Sequence, residues 1–194
     1  MATPARILTV CTGNVCRSPF LERALQANLD RSWGSGAVVV SSGGTGALVG
    51  APMEEQARTH LESHGYAADG FTARDLTAQL VADADLVLTA TRAHRGKVAS
   101  LHPRALRYVF AFREFAELAS AIPAEDLAAP VADAREWVQR VVANAAAQRG
   151  MRPPLSDGDA DIIDPYRRGP EVFEEMTSQI LSSLPAVSAI LGRP

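Results

Sequence analysis

Cysteine is scarce in this chain: its 194 residues include only two, Cys11 and Cys16, both in one short segment. That excludes a scaffold stapled by several disulfides, and equally a zinc site with four cysteine ligands. Nor does charge of one sign dominate, since 19 basic residues stand against 22 acidic ones, for a net charge of -3. Binding to nucleic acid and insertion into a membrane are therefore not expected, although one local anion pocket remains open. No apolar run approaches the roughly 18 residues of a membrane span. The first residues lead straight into a strand-like run and do not form a secretory leader, so a cytoplasmic protein is expected. Histidine is sparse too. Only His60 and His64 share a helical face, and without the acid of the metalloprotease pattern they read as surface helix. No metal and no cofactor are expected.

What is present is an ordinary globular composition, 47% hydrophobic and 21% charged, sized for a single domain over 1–194. Short apolar runs at 6–10, 37–40, 85–89 and 106–110 read as strands. Helical patterns occupy 19–29, 54–64 (closed by Gly65), 92–100, 112–118 and 132–147. A last one covers 170–191, with a break expected near Pro185, and 149–159 reads as loop. The alternation of strand and helix predicts an α/β domain with a parallel sheet covered on both faces.

The chemistry is concentrated in Val10-Cys11-Thr12-Gly13-Asn14-Val15-Cys16-Arg17-Ser18-Pro19, between the first strand and the first helix. Unsatisfied N–H groups and the helix dipole make such a turn an anion site. Gly13 and Asn14 tolerate the positive φ of a tight cradle, and Pro19 suits a first helical turn. Cys11 faces the same donors, which favour its thiolate. Arg17 carries a planar fork able to hold two phosphate oxygens, and the Ser18 hydroxyl is placed to donate to the sulfur. Together they suit nucleophilic attack on phosphorus, with Thr12, Gly13, Asn14, Val15, Cys16 and Ser18 completing the anion-binding ring. Cys16 is open between plain core and a partner that traps oxidised Cys11. Asp157, Asp159 and Asp161 read as a solvated charge run, and Trp33 and Trp137 as packing residues.

The motif Cys-x5-Arg-Ser near the N-terminus resembles that of the low-molecular-weight protein tyrosine phosphatases, and of their bacterial branch in particular. Ser42-Gly43-Gly44-Thr45-Gly46-Ala47-Leu48-Val49-Gly50, Ala73-Arg74-Asp75-Leu76-Thr77 and Asp164-Pro165-Tyr166 resemble further segments of that family. The resemblance implies a three-layer α/β/α fold with a four-stranded parallel sheet and the phosphate loop after strand 1. It implies hydrolysis of phosphotyrosine in protein substrates through a cysteinyl phosphate, without metal. Cys11 would attack, and Asp164 would protonate the leaving phenol and later activate water. Tyr166 and Leu48 would flank the substrate ring, and Asn14, Ser18 and Ser42 would support the loop. A bacterial tyrosine kinase is among the partners implied.

Two departures from the family pattern stand out. Phe71 occupies the place of a histidine that often supports the loop, and Leu48 and Val49 stand where an aromatic wall is common. About 40 residues between 113 and 159 have no counterpart in the compact members and are expected to add helices before the acid loop. Two relatives on the same fold remain as alternatives. Arsenate reductases need resolving cysteines further downstream, which this chain lacks. Protein-arginine phosphatases carry threonine where Val15 stands.

Overall fold

The computed structural model describes residues 3–151 and 153–194; Met1, Ala2, Arg152 and the side chain of Asp157 lie outside the described residues. β1 (Ala5–Cys11) is buried at every position but one and forms the centre of the sheet with its neighbour β3 (Leu86–Thr89). β2 (Val38–Gly44) and β4 (Val109–Ala111) close the edges, giving the order β2-β1-β3-β4 with every pairing parallel. A parallel strand returns only through a crossover, and here the crossovers are mainly helical. They supply α1 (Arg17–Trp33), α2 (Glu55–Ser63), α3 (Ala78–Ala82) and α4 (Arg92–Leu101). After β4 come α5 (Phe112–Ser120), α6 (Ala124–Leu127), α7 (Ala134–Ala147), α8 (Asp157–Ala160) and α9 (Pro170–Leu191).

Side chains alternate between the two faces of the sheet, as the strand period of two requires. Ile7, Leu86, Leu88 and Phe110 join the larger core, with α1, α2, α5, α7 and α9. Leu8, Val10, Val87 and Val109 face the smaller one, with Val81 of α3 and Val98 of α4. The fold is thus the expected three-layer α/β/α arrangement, with layers of unequal thickness.

Three local expectations need correcting. Residues 106–110 are not all strand, because Pro103–Arg107 forms a 3-10 turn and leaves Leu106 55% exposed. Proline opens that turn well, and the strand begins only at Val109. α9 runs unbroken through Pro185, although a proline inside a helix costs roughly 3 kcal/mol. Tertiary contacts hold both halves: Ile180 and Leu184 are buried before and beside it, Val187 and Leu191 after it. Trp33 Nε1 donates to the Leu191 carbonyl and Trp137 Nε1 to that of Ile190, each at 2.9 Å, so the two indoles clasp the helix end. The run 149–159 is not wholly loop, since α8 begins inside it.

The other end of the sheet is pinned by a carboxylate. Asp85, at the foot of β3, accepts from the Arg6 amide at 2.9 Å, Arg135 Nε at 3.0 Å and Gln139 Nε2 at 2.7 Å. Arg135 and Gln139 lie one turn apart on α7, so this helix is tied to the amino-terminal end of the two central strands, far from the loop after β1.

Candidate active site

β2 continues to Gly44, beyond the predicted 37–40, and pairs Thr9 with Ser42 and Cys11 with Gly44. This register sets Ser42 beside the root of the loop and lays residues 45–48 along it. A Cβ on Gly44 would collide with the Thr12 carbonyl, so only glycine allows that approach. Thr45, Gly46 and Leu48 then donate to the carbonyls of Cys11, Thr12 and Gly13 at 2.9, 3.1 and 3.0 Å, and Glu54 donates to that of Val15 at 2.9 Å. A trans peptide points its N–H away from its carbonyl, and no cis bond occurs among the described residues. Holding those four carbonyls outward therefore turns the amides of Thr12, Gly13, Asn14 and Cys16 inward.

Behind this ring lies a polar network with one consistent set of donors. Asn14, at φ 55°, gives its two amide protons to Ser18 Oγ at 2.9 Å and Ser42 Oγ at 2.8 Å. Its oxygen accepts from the Arg74 amide at 2.9 Å. Ser42 donates onward to Glu22 Oε2 at 2.5 Å. Ser18 Oγ, already an acceptor, has its proton free for Cys11 Sγ at 2.9 Å. Asn14 and Ser18 are fully buried, so their side chains stand behind the loop and do not line the cleft.

Arg17 is 4% exposed, and its guanidinium lies under the acid loop. One terminal nitrogen donates to the Ile162 carbonyl at 3.2 Å, the other pairs with Asp164 Oδ2 at 2.8 Å, and buried Nε has no hydrogen-bond partner among the described residues. An unpartnered buried guanidinium donor is costly unless an anion visits it. Asp164 is half exposed and accepts from the Tyr166 amide at 3.3 Å. Cys11, Thr12, Gly13, Val15, Cys16, Arg17, Gly46, Leu48, Asp164 and Tyr166 line one cleft of about 130 Å³. The structure thus brings together residues more than 150 positions apart. Among the described residues no cluster of three or more His, Cys, Asp or Glu is placed to hold a metal ion.

Three contributors, Glu22, Arg74 and His94, escaped the sequence reading. Glu22 ends the network; burial pushes its carboxyl up from the usual value, against the hydrogen bond from Ser42. Its spacing of four from Ser18 on α1 was the available signal. Arg74 supports the loop twice, through its amide to Asn14 and through Nε to the Ser42 carbonyl at 2.8 Å. Phe71, in place of the expected histidine, lies half-buried with the Arg23 guanidinium 5.9 Å from its ring centroid, so here Ser42, Glu22 and Arg74 carry the support. His94 contacts Thr12 from the first turn of α4. Burial also pushes the Cys16 thiol well up from its usual value, so a neutral thiol stands beside the loop.

A ring of inward amides, a buried arginine and a hydrogen-bonded thiol at the carboxyl end of a parallel sheet suit a tetrahedral oxyanion. That defines a cysteine-dependent phosphatase. The chain belongs to the low molecular weight phosphotyrosine protein phosphatase family, whose profile matches residues 6–150. It is 35% identical over 136 residues to EpsP of Ralstonia nicotianae, a probable low molecular weight protein-tyrosine-phosphatase, covering 70% of this chain and 90% of that one. The fold matches the crystal structure of the Erwinia amylovora tyrosine phosphatase AmsI, with a TM-score of 0.66 at 24% identity over 97% of this chain and 94% of that one. It matches the YwlE arginine phosphatase of Geobacillus stearothermophilus equally well, with a TM-score of 0.66 at 23% identity over 96% and 92% of the two chains.

Proposed function

We propose that this chain hydrolyses phosphotyrosine in proteins by two successive displacements at phosphorus. Cys11 Sγ forms the P–S bond as the bond to the phenol oxygen breaks, and Asp164 gives that oxygen its proton. Water then forms a new P–O bond while the P–S pair returns to Cys11, and Asp164 takes back a proton from the water. Arg17 and the inward amides hold the three remaining oxygens and the charge that builds on them. The observation that carries this reading is the floor of the cleft, where a serine-bonded thiol lies beside an arginine with a buried, unpartnered Nε.

Tyr166, 38% exposed, and Leu48 form walls suited to a phenol ring, and apolar Val15 offers nothing to a guanidinium. The helices between 113 and 159 are read as an insertion into one domain spanning 1–194. In support, α5, α6, α7 and α8 all fall between β4 and the acid loop at Asp164. A cytoplasmic location and a bacterial tyrosine kinase as a protein partner belong to the same reading. The test is turnover of phosphotyrosine, phosphoserine and phosphoarginine peptides side by side, in reductant and chelator. Preference for phosphotyrosine is expected. Preference for phosphoarginine would overturn the substrate while sparing the cysteine chemistry.

A further inference from the structure

β3 ends at the same carboxyl end of the sheet as β1, and the first turn of α4 after it brings an imidazole against the phosphate loop. His94 is buried; its Nε2 lies 2.8 Å from Thr12 Oγ1 and its Nδ1 2.7 Å from Thr91 Oγ1. The directions of these bonds follow from the protons available and from how accessible each hydroxyl is. Thr91 Oγ1 already accepts from the His94 backbone amide at 3.2 Å. Its single proton has one acceptor among its described partners, His94 Nδ1. With Thr91 half-buried and Thr12 exposed, the arrangement that satisfies the less accessible hydroxyl puts the ring proton on Nε2 and donates it to Thr12 Oγ1. Burial first, then the charges of Arg17 and Lys97, push the imidazole down to about 4 against the opposing pull of Asp164, so the ring is neutral at physiological pH.

The chain of donors runs one way, from Thr91 through His94 to Thr12. Bonds in such a chain strengthen one another. The hydroxyl proton of Thr12 is left with no acceptor among the described residues. Thr12 directly follows Cys11, is exposed, and lines the cleft with Asp164 and Tyr166.

We propose that His94 is a positioning residue for the second displacement, turning the Thr12 hydroxyl proton toward the water that attacks the phosphocysteine. The inference rests on the two-step reading above. In that step one lone pair of the water oxygen forms the P–O bond as the P–S pair leaves with Cys11. One water proton passes to the Asp164 carboxylate and the other stays on the product phosphate. The second lone pair of the water accepts from Thr12, which fixes the direction of the first. A histidine that merely filled core space would have no effect confined to this step.

The test uses p-nitrophenyl phosphate, whose leaving group needs little protonation, so that breakdown of the phosphocysteine limits turnover. Rapid mixing measures the burst of p-nitrophenolate, and mass spectrometry after acid quench measures phosphoryl adduct on Cys11. His94→Ala and Thr12→Val should each lower steady turnover about tenfold, the worth of one good hydrogen bond. Both should keep a full burst, accumulate adduct and bind vanadate within about twofold of the parent. His94→Gln, whose amide can still donate to Thr12, should recover most of the loss, and His94→Ala should cost nothing more in a Thr12→Val background. Because Thr12 is exposed, its variant answers the question even where His94→Ala fails to fold. Unchanged turnover, equal slowing of burst and steady rate, or effects that multiply in the double variant would overturn the inference alone. A parent enzyme without adduct would overturn the two-step reading and this inference with it.

Discussion

The two halves of the cleft are built to different specifications. On the nucleophile side, Cys11, Asn14, Ser18 and Ser42 are each no more than 2% exposed, and their polar atoms are joined in one network ending at Glu22. On the acid side, Asp164 is 52% exposed; among the described residues its carboxylate is held by the ion pair with Arg17 and by the Tyr166 amide. Arg167 next to them adopts φ 60°, with its guanidinium 5.2 Å from the Tyr166 ring centroid. The difference suits the work of each half. A phosphoryl group has one shape, which a rigid cradle can match in advance, whereas the acid must follow a phenol oxygen in one step and a water in the next.

Replacing the nucleophile tests one side most severely. Cys11→Ser is expected to lower turnover by about 10⁴–10⁶, the scale of losing a nucleophile, while retaining phosphate and vanadate binding. Steady-state kinetics with calorimetric titration would separate the two effects, and hydrolysis near the parent rate would remove Cys11 from its role. Asp164→Ala should slow aryl phosphates by about 10²–10⁴. That loss should shrink along a series of increasingly acidic phenols, and a flat series would leave Asp164 without a proton to transfer.

The same contrast decided what could be read from sequence. The nucleophile side is one continuous segment whose glycine, asparagine and arginine each answer to local geometry, so its residues were visible before the fold. Its second layer was only half visible. Ser42 arrived by resemblance, but Arg74 and Glu22 depend on a register in which β2 runs four residues past its predicted end. His94 was passed over because histidine on a helix was weighed only as a metal ligand. The parallel order β2-β1-β3-β4, which puts the turn after β3 beside the turn after β1, is what gives it meaning. Asp164 was legible only through Asp-Pro-Tyr, since no periodicity links it to Cys11. Pro185 misled for the opposite reason: a strong local signal was overridden by the two tryptophans that hold the helix end.

Stability should divide along the same line. Asn14→Ala removes a left-handed residue that suits its φ and leaves two serine hydroxyls and the Arg74 amide short of a partner. A loss of about 2–4 kcal/mol is expected in denaturant unfolding. Asp164→Asn, at a half-exposed position, should stay within about 0.5 kcal/mol. Comparable losses at both sites would mean that the acid loop is as firmly built as the cradle.

The smallest expected effect comes from protons and asks how far the rigid half extends. In the unfolded chain His94 takes up a proton near its ordinary value of 6.5, whereas in the folded protein it stays neutral down to about 4. Between these values the unfolded state binds more protons, so stability rises with pH and is lost as pH falls from about 6.5 toward 4. Above 6.5 both states hold a neutral ring and the contribution is fully present. Arg17 and Lys97 face the ring and reinforce this sign, while Asp164 opposes it. The span of the shift sets an upper bound near 3 kcal/mol, and about 1–2 kcal/mol is expected once relaxation around the charged ring is allowed. Unfolding curves of the parent and His94→Gln, taken at pH 7 and pH 4.5, would measure it as a difference of differences, with the other carboxylates and histidines cancelling. A parent that loses no more than the variant on acidification would mean that the imidazole charges freely within the fold. The boundary of the rigid half would then fall between Thr12 and His94, and not beyond the end of β3.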